Sequence, residues 1–212
     1  MPVSAARKAR TRTEIFEHAA RLFRLRGYAG TNIDDIMLAA GLTRGAFYAH
    51  FRSKDDLFAE AVRAGHGLLG KARTSDARTA LTDYFDKAQL AANGQACTLA
   101  ALPGDVARAP MPARLAYANV LYGLIGELSR GRTRRLDADA TTVAILAVGA
   151  LILARASGDT RLSDWLLRCA KRAALPLLKP RASPSRKRCR SRRKAAGARR
   201  ARHAARPRAG RA

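Results

Sequence analysis

Apolar residues recur with a helical period in most stretches between glycines and prolines. Ile15, Ala19, Leu22 and Phe23 share one face of a helix predicted over 11–26, and Gly27 ends it. Ile33, Ile36, Met37 and Ala40 then fall at i, i+3, i+4 and i+7, with Thr31 as the expected N-cap and Asp34 completing a weak capping box. Gly41 supplies the left-handed residue that turns the chain. Thr43 is placed to cap a second short helix, with Leu42, Phe47 and Phe51 inward and Arg44, Gly45 and Tyr48 outward. His50 either joins that outward face or packs against the turn. Ser53 and Asp56 form a capping box for a fourth helix that buries Leu57, Phe58, Ala61 and Val62.

Helical spacing continues beyond this cluster, over 74–93 and 113–130, with short pieces near 95–102 and 105–108. On 113–130 one side carries Leu115, Asn119, Tyr122 and Gly126, and the other Leu121, Leu124, Ile125 and Leu128. The run 138–156 is nearly all small and aliphatic, which predicts burial on most sides. On 160–178 an apolar stripe is formed by Leu162, Trp165, Leu166, Cys169 and Ala173. No stretch alternates β-branched with polar residues, so the expected fold class is all-α. The two last helices fit either a monomer's core or a self-complementary four-helix dimer interface.

Helix, glycine turn, helix over 31–54 is the spacing of a helix-turn-helix unit, whose second helix lies in the major groove. An ordinary helical hairpin in a core has the same spacing, and residue identity separates the two. The string AGLTRGAFYAHFRSKDDLF resembles the signature of the TetR family of bacterial transcriptional regulators, and RLFRLRGYAGTNIDDI resembles its lead-in. The resemblance covers roughly 11–64 and only loosely the rest. It implies DNA contacts from Thr31, Thr43, Arg44, Gly45, Tyr48, His50 and Lys54. The chemistry agrees for Arg44, which can pair bidentately with guanine, and for Gly45, which lets the backbone approach the duplex. Thr43, Tyr48 and Lys54 carry donors suited to phosphates. Ala49 leaves one contact position of the family without a polar group.

The resemblance divides the chain into a basic arm (1–10), a helix-turn-helix head (11–52), a helical ligand-binding and dimerisation body (53–178) and a basic tail (179–212). It also favours the homodimer, and it implies a pocket for a small-molecule effector in the body. Candidate walls are Phe85, Leu90, Met111, Tyr117, Leu121, Tyr122, Leu151 and Trp165, with Gln89 and Asn119 as polar orienters; plain core is the simpler reading of each.

Charge sharpens this division. The net charge is +25, yet fifteen of the 41 Lys and Arg lie from Lys179 onward with no acid, leaving 26 basic against 16 acidic residues before it. That tail has no aliphatic residue larger than alanine and cannot bury a core. It reads either as a non-specific nucleic-acid tether or as out-of-frame translation of a GC-rich gene. Arg7, Lys8 and Arg10 give the arm a possible path along DNA phosphates, with a solvated end as the alternative.

Cys97, Cys169 and Cys189 are odd in number, far apart and without metal-ligand spacing, which points to a reducing cytoplasm and to inert thiols. His18, His50, His66 and His203 are scattered, and no triad, carboxylate pair or phosphate loop can be placed. Neither catalysis nor a cofactor or metal is therefore expected. The apolar run 140–154 falls short of the ~20 residues a bilayer requires, so no membrane association is expected. The function expected is a DNA-binding repressor released from a pseudo-palindromic operator by an effector. The alternative is a non-specific nucleic-acid-binding architectural protein acting through its tail.

Overall fold

The computed structural model describes residues 5–65, 67–86, 96–129 and 136–178. Among them all regular structure is helical. Helix α1 (Ala5–Arg26) starts earlier than the apolar period required, so Arg7, Lys8 and Arg10 are helical. It is followed by α2 (Ile33–Ala39), a 3-10 helix (Arg44–Ala49), α3 (Lys54–Ala64) and α4 (Leu68–Thr74). The chain continues through α5 (Ala77–Tyr84), α6 (Thr98–Ala101), α7 (Pro103–Arg108), α8 (Met111–Ser129), α9 (Ala138–Ala156) and α10 (Thr160–Ala174). Gln89, Leu90, Cys189 and the tail from 179 lie outside the described residues.

The expected cap of α2 moves by one residue. Asn32, not Thr31, is the N-cap: its side chain accepts from the Asp35 amide, and Asp35 accepts in return from the Asn32 amide. Thr31 is fully buried and its hydroxyl donates to the Gly27 carbonyl at 2.9 Å. Thr and Asn are both good caps, and pattern alone did not rank two adjacent ones. Ser53 caps α3 as expected, accepting from the Asp56 amide at 3.1 Å.

Two apolar clusters form. The first joins Ile15, Ala19 and Phe23 of α1 to Ile36 and Met37 of α2, to Phe47 and Phe51, and to Leu57, Phe58 and Val62 of α3. It also takes in Leu102, Val106, Ala113 and Ala116, so α7 and the start of α8 close the underside of the head. Phe23, Tyr28 and Phe58 pack mutually, with Phe58 edge-on to both other rings at 5.1 and 5.0 Å. The second cluster is the body, where α9 contributes Val143, Ala147 and Leu151, α8 contributes Val120 and Leu124, and α10 contributes Leu167, Ala170 and Ala174. Ser163 is also buried there because its hydroxyl donates to the Ala154 carbonyl at 2.7 Å, which ties α10 to α9.

On α8 the two sides separate as the pattern required: Leu115, Asn119, Tyr122 and Gly126 are exposed, while Leu124, Ile125 and Leu128 are buried. On α10 the apolar stripe faces away from the core, leaving Leu162 and Trp165 about half exposed. Helix α9 is long and apolar enough to cross a membrane by length and composition, yet Ala140, Val143, Ala144, Ala147, Ala150, Leu151 and Ala154 pack into the body.

Between α3 and α4 the chain breaks at Gly65 (φ +61°) and Gly67 (φ +105°). A Cβ on Gly67 would sit 2.7 Å from the backbone of Cys97, so a side chain is excluded by space as well as by φ.

Phe58 is 1% exposed at the centre of the head cluster, so Phe58→Ala should cost about 3–5 kcal/mol of unfolding free energy. Urea denaturation of both proteins measures this, and a loss under about 1 kcal/mol would mean that the ring is not a structural centre.

Candidate nucleic-acid interface

The segment most exposed to a partner is held from below by an apolar wedge. Gly41 (φ +68°) turns the chain after α2, and the Leu42 amide donates to the Met37 carbonyl at 2.8 Å to close the turn. The expected second helix is a six-residue 3-10 helix. Gly45 and the aromatic pair Phe47-Tyr48 are weak α-helix formers, and a run this short favours the tighter coil. Thr43 occupies the N-cap position, but its hydroxyl makes no capping bond. Phe47 is fully buried, 5.7 Å from the Phe51 ring and 5.3 Å from that of Tyr48.

With Phe47 inserted, Thr43, Arg44, Gly45, Tyr48 and Ala49 lie on the outside. Tyr48 is 59% exposed with its hydroxyl free to reach a phosphate. A Cβ on Gly45 would meet nothing within 4 Å, so the fold does not itself require glycine there; the missing side chain leaves bare backbone toward a partner. Arg44 donates to Asp34 at 2.6 Å, and both side chains are more than half exposed. Such a pair contributes about 0–1 kcal/mol, little enough for a guanine edge or phosphate to displace. Sequence reasoning assigned Asp34 to capping and missed this pairing, although α2 and the 3-10 helix are adjacent across a four-residue turn.

Two residues assigned DNA contacts by resemblance are turned inward. Thr31 is buried, so its side chain presents nothing to a duplex. The Lys54 ammonium donates to the carbonyls of Tyr28 (3.0 Å) and Thr31 (2.9 Å) and lies 3.9 Å from the Tyr28 ring centre. The Tyr28 hydroxyl donates to Asp55, and burial followed by that carboxylate pushes its pKa up to about 12. His50 is half-buried, and its Nδ1 is enclosed without a hydrogen-bond partner. Desolvation, then the nearby charges of Lys8 and Arg12, push its pKa below the usual 6.5. Arg12 in turn lies over the Phe51 ring at 4.5 Å and makes a two-pronged ion pair with Glu60, at 2.8 and 2.5 Å.

The face that results is narrow: Thr43, Arg44, Gly45 and Tyr48 stand together, Leu38 projects beside them at 80% exposed, and the supporting residues face the other way. Leu38 falls off the buried period of α2, which is the one signal that could have placed it at the surface.

The sequence model described as "Bacterial regulatory proteins, tetR family" matches residues 15–61, the stretch that forms this head. Residues 15–61 of this chain are thus a TetR-family head. The chain's similarity to individual relatives is confined to the same region. It is 43% identical to the regulator AcrR of Shigella flexneri over 61 residues, which are 29% of this chain and 28% of AcrR. It is 41% identical to the regulator TtgR of Pseudomonas putida over 69 residues, 31% of this chain and 33% of TtgR. The match thus spans about a third or less of the relatives' length. The fold extends further than the sequence likeness. Reduced NemR of E. coli superposes with a TM-score of 0.64 at 22% identity, covering 82% of this chain and all of NemR. A TetR-family regulator of Cytophaga hutchinsonii gives 0.63 at 22%, covering 85% of this chain and all of that one. The TetR-family head and an all-α body are therefore common ground, while the body's residues are this chain's own.

Among the described residues, the body does not bring the suggested pocket walls together. Phe85 and Leu151 are in the core with Tyr117 and Leu121 packed on it, and the Tyr117 hydroxyl donates to the Leu99 carbonyl at 2.7 Å. Met111, Asn119, Tyr122 and Trp165 are exposed, because α8 and α10 turn those positions away from the core.

Protonation of His50 is unfavourable in the folded head, so the unfolded chain binds more protons between the depressed folded pKa and about 6.5. Stability should be intact above pH 6.5 and fall as pH drops below it. His50→Gln should lessen that fall between pH 7.5 and 5.5 in urea melts; an identical pH dependence would remove His50 as its source.

Proposed function

We propose that this protein is a DNA-binding transcriptional regulator that reads DNA through the face made by Thr43, Arg44, Gly45 and Tyr48. The observation that carries the reading is the combination of a fully buried Phe47 with that exposed polar face, on a turn opened by Gly41, inside a TetR-family head. Such an arrangement presents donors at a fixed angle, which is what groove recognition requires. Arg44 is the base reader, Thr43 and Tyr48 position the backbone, and His50 supports the turn from beneath. Catalysis is not part of this reading, since the similar proteins are described as transcriptional regulators.

The finer reading is a homodimeric repressor on a pseudo-palindromic operator, released by a small-molecule effector and working in the cytoplasm. Its support is the outward apolar surface of α9 and α10: Ile145 is 65% exposed, Leu153 57%, Leu162 47% and Trp165 56%. Four large apolar side chains on two neighbouring helices form a patch that a second copy would cover. The inner face of α9 is occupied by the body core, so its apolar character is accounted for by core and interface without a membrane.

Selection of bound fragments from a random DNA pool, followed by footprinting, tests the reading: two inverted half-sites about one helical turn apart are expected. Arg44→Ala should weaken binding to the selected site by about 1–3 kcal/mol while leaving the thermal midpoint unchanged. An unchanged footprint and affinity would take base reading away from Arg44.

For the dimer, Ile145→Arg combined with Leu153→Arg should convert a sedimenting dimer into a folded monomer. Persistence of the dimer, or a wild-type protein that is already monomeric at micromolar concentration, would place the interface elsewhere or nowhere.

A further inference from the structure

A cleft of about 880 Å³ opens between α1 and α4. It lies at the glycine break: one wall is α1, with Phe16 and Ala20, and the other is formed by Ala64, Gly65 and Gly67 with Gly70, Lys71 and Thr74 of α4. Three cations border it, Arg21 and Arg24 from α1 and Lys71 from α4, against one acid, Glu17. Arg24 is half-buried, and desolvation lowers its pKa. Neither Arg21 nor Lys71 makes an ion pair with a described residue. The floor carries Gly70 inside a helix, where glycine is unfavourable by about 1 kcal/mol, and a Cβ there would meet nothing within 4 Å. The fold does not require that glycine, and its effect is to leave the cleft open.

We propose that this cleft binds a small organic anion, a carboxylate or sulfonate on an aromatic or aliphatic body. The acid group lies among Arg21, Arg24 and Lys71, and the body rests on Phe16, Ala20 and the bare backbone at Gly70. None of these residues belongs to the reading face or to the outward surface of α9 and α10. An occupant bridges α1 and α4 across the cleft.

Anilinonaphthalene sulfonate is a suitable probe, because phenylnaphthylamine offers the same rings without the charge. Fluorescence titration of the full-length chain should show saturable binding of the sulfonate at one site per chain that carries the cations' preference. Arg21→Ala combined with Lys71→Ala should weaken the sulfonate by about tenfold or more and phenylnaphthylamine by much less, since only the former loses charge-assisted bonds. Gly70→Trp should abolish binding of both, and because its Cβ enters open space in a helix it should leave the fold intact by circular dichroism. Equal weakening of the two probes by the double variant, or full sulfonate binding by folded Gly70→Trp, would overturn the proposal. The titration contains no DNA, so failure of the operator reading would leave its outcome standing.

Discussion

The head depends on the Lys54 ammonium. It sits at the first residue of α3, where the helix dipole disfavours a cation by about 0.3–1 kcal/mol. It nevertheless points back across the chain and donates to the carbonyls of Tyr28 and Thr31 at the corner between α1 and α2. Two hydrogen bonds from a charged donor contribute about 1.5–3 kcal/mol each, and the Tyr28 ring adds about 0.5–1 kcal/mol more, so the bonds outweigh the dipole. The consequence is topological: the corner before α2 is tied to the first residue of α3, beyond the 3-10 helix. Neither α2, at seven residues, nor the six-residue 3-10 helix is long enough to persist alone in water. Between two tied ends, with Phe47 as a wedge, they need not.

The same tie explains why a residue's place in a family pattern did not reveal its orientation. Thr31 and Lys54 flank the reading segment, and a donor at each is compatible with a phosphate contact. Which way each side chain points was decided by the carbonyls of Gly27, Tyr28 and Thr31 at the corner, groups that a one-letter sequence does not display. By contrast Arg44, Gly45 and Tyr48 were correctly read as outward, because the burial of Phe47 and Phe51 leaves them no other direction. Periodicity was similarly strong on position and weak on environment. It delimited α9 at 138–156 to the residue, yet it left open whether the stripe of α10 is covered within the chain or by a second copy. The structure buries Ser163, Leu167, Ala170 and Ala174 instead, since small residues let α10 approach α9 closely and the larger ones are left outside. An apolar stripe states that a face will be covered, not by what.

Stiffness in the head is set against a joint that is permissive by construction. Gly65 and Gly67 both sit at positive φ, where any other residue would be strained, and they interrupt what would otherwise be one helix running from head to body. Freedom at the joint is one-sided. Gly67 is pressed against the backbone and thiol of Cys97, and a Cβ on Gly65 would come within 3.1 Å of Val120. Val120 of α8 and Cys97 therefore block movement toward them, while Gly65 and Gly67 also line the cleft between α1 and α4. A joint closed on one side by close packing and open on the other to solvent has one direction in which it can bend at low cost. Whatever fills the open side limits that bending, and the atoms that would feel it first are those of α1, the helix packed on both α2 and α3.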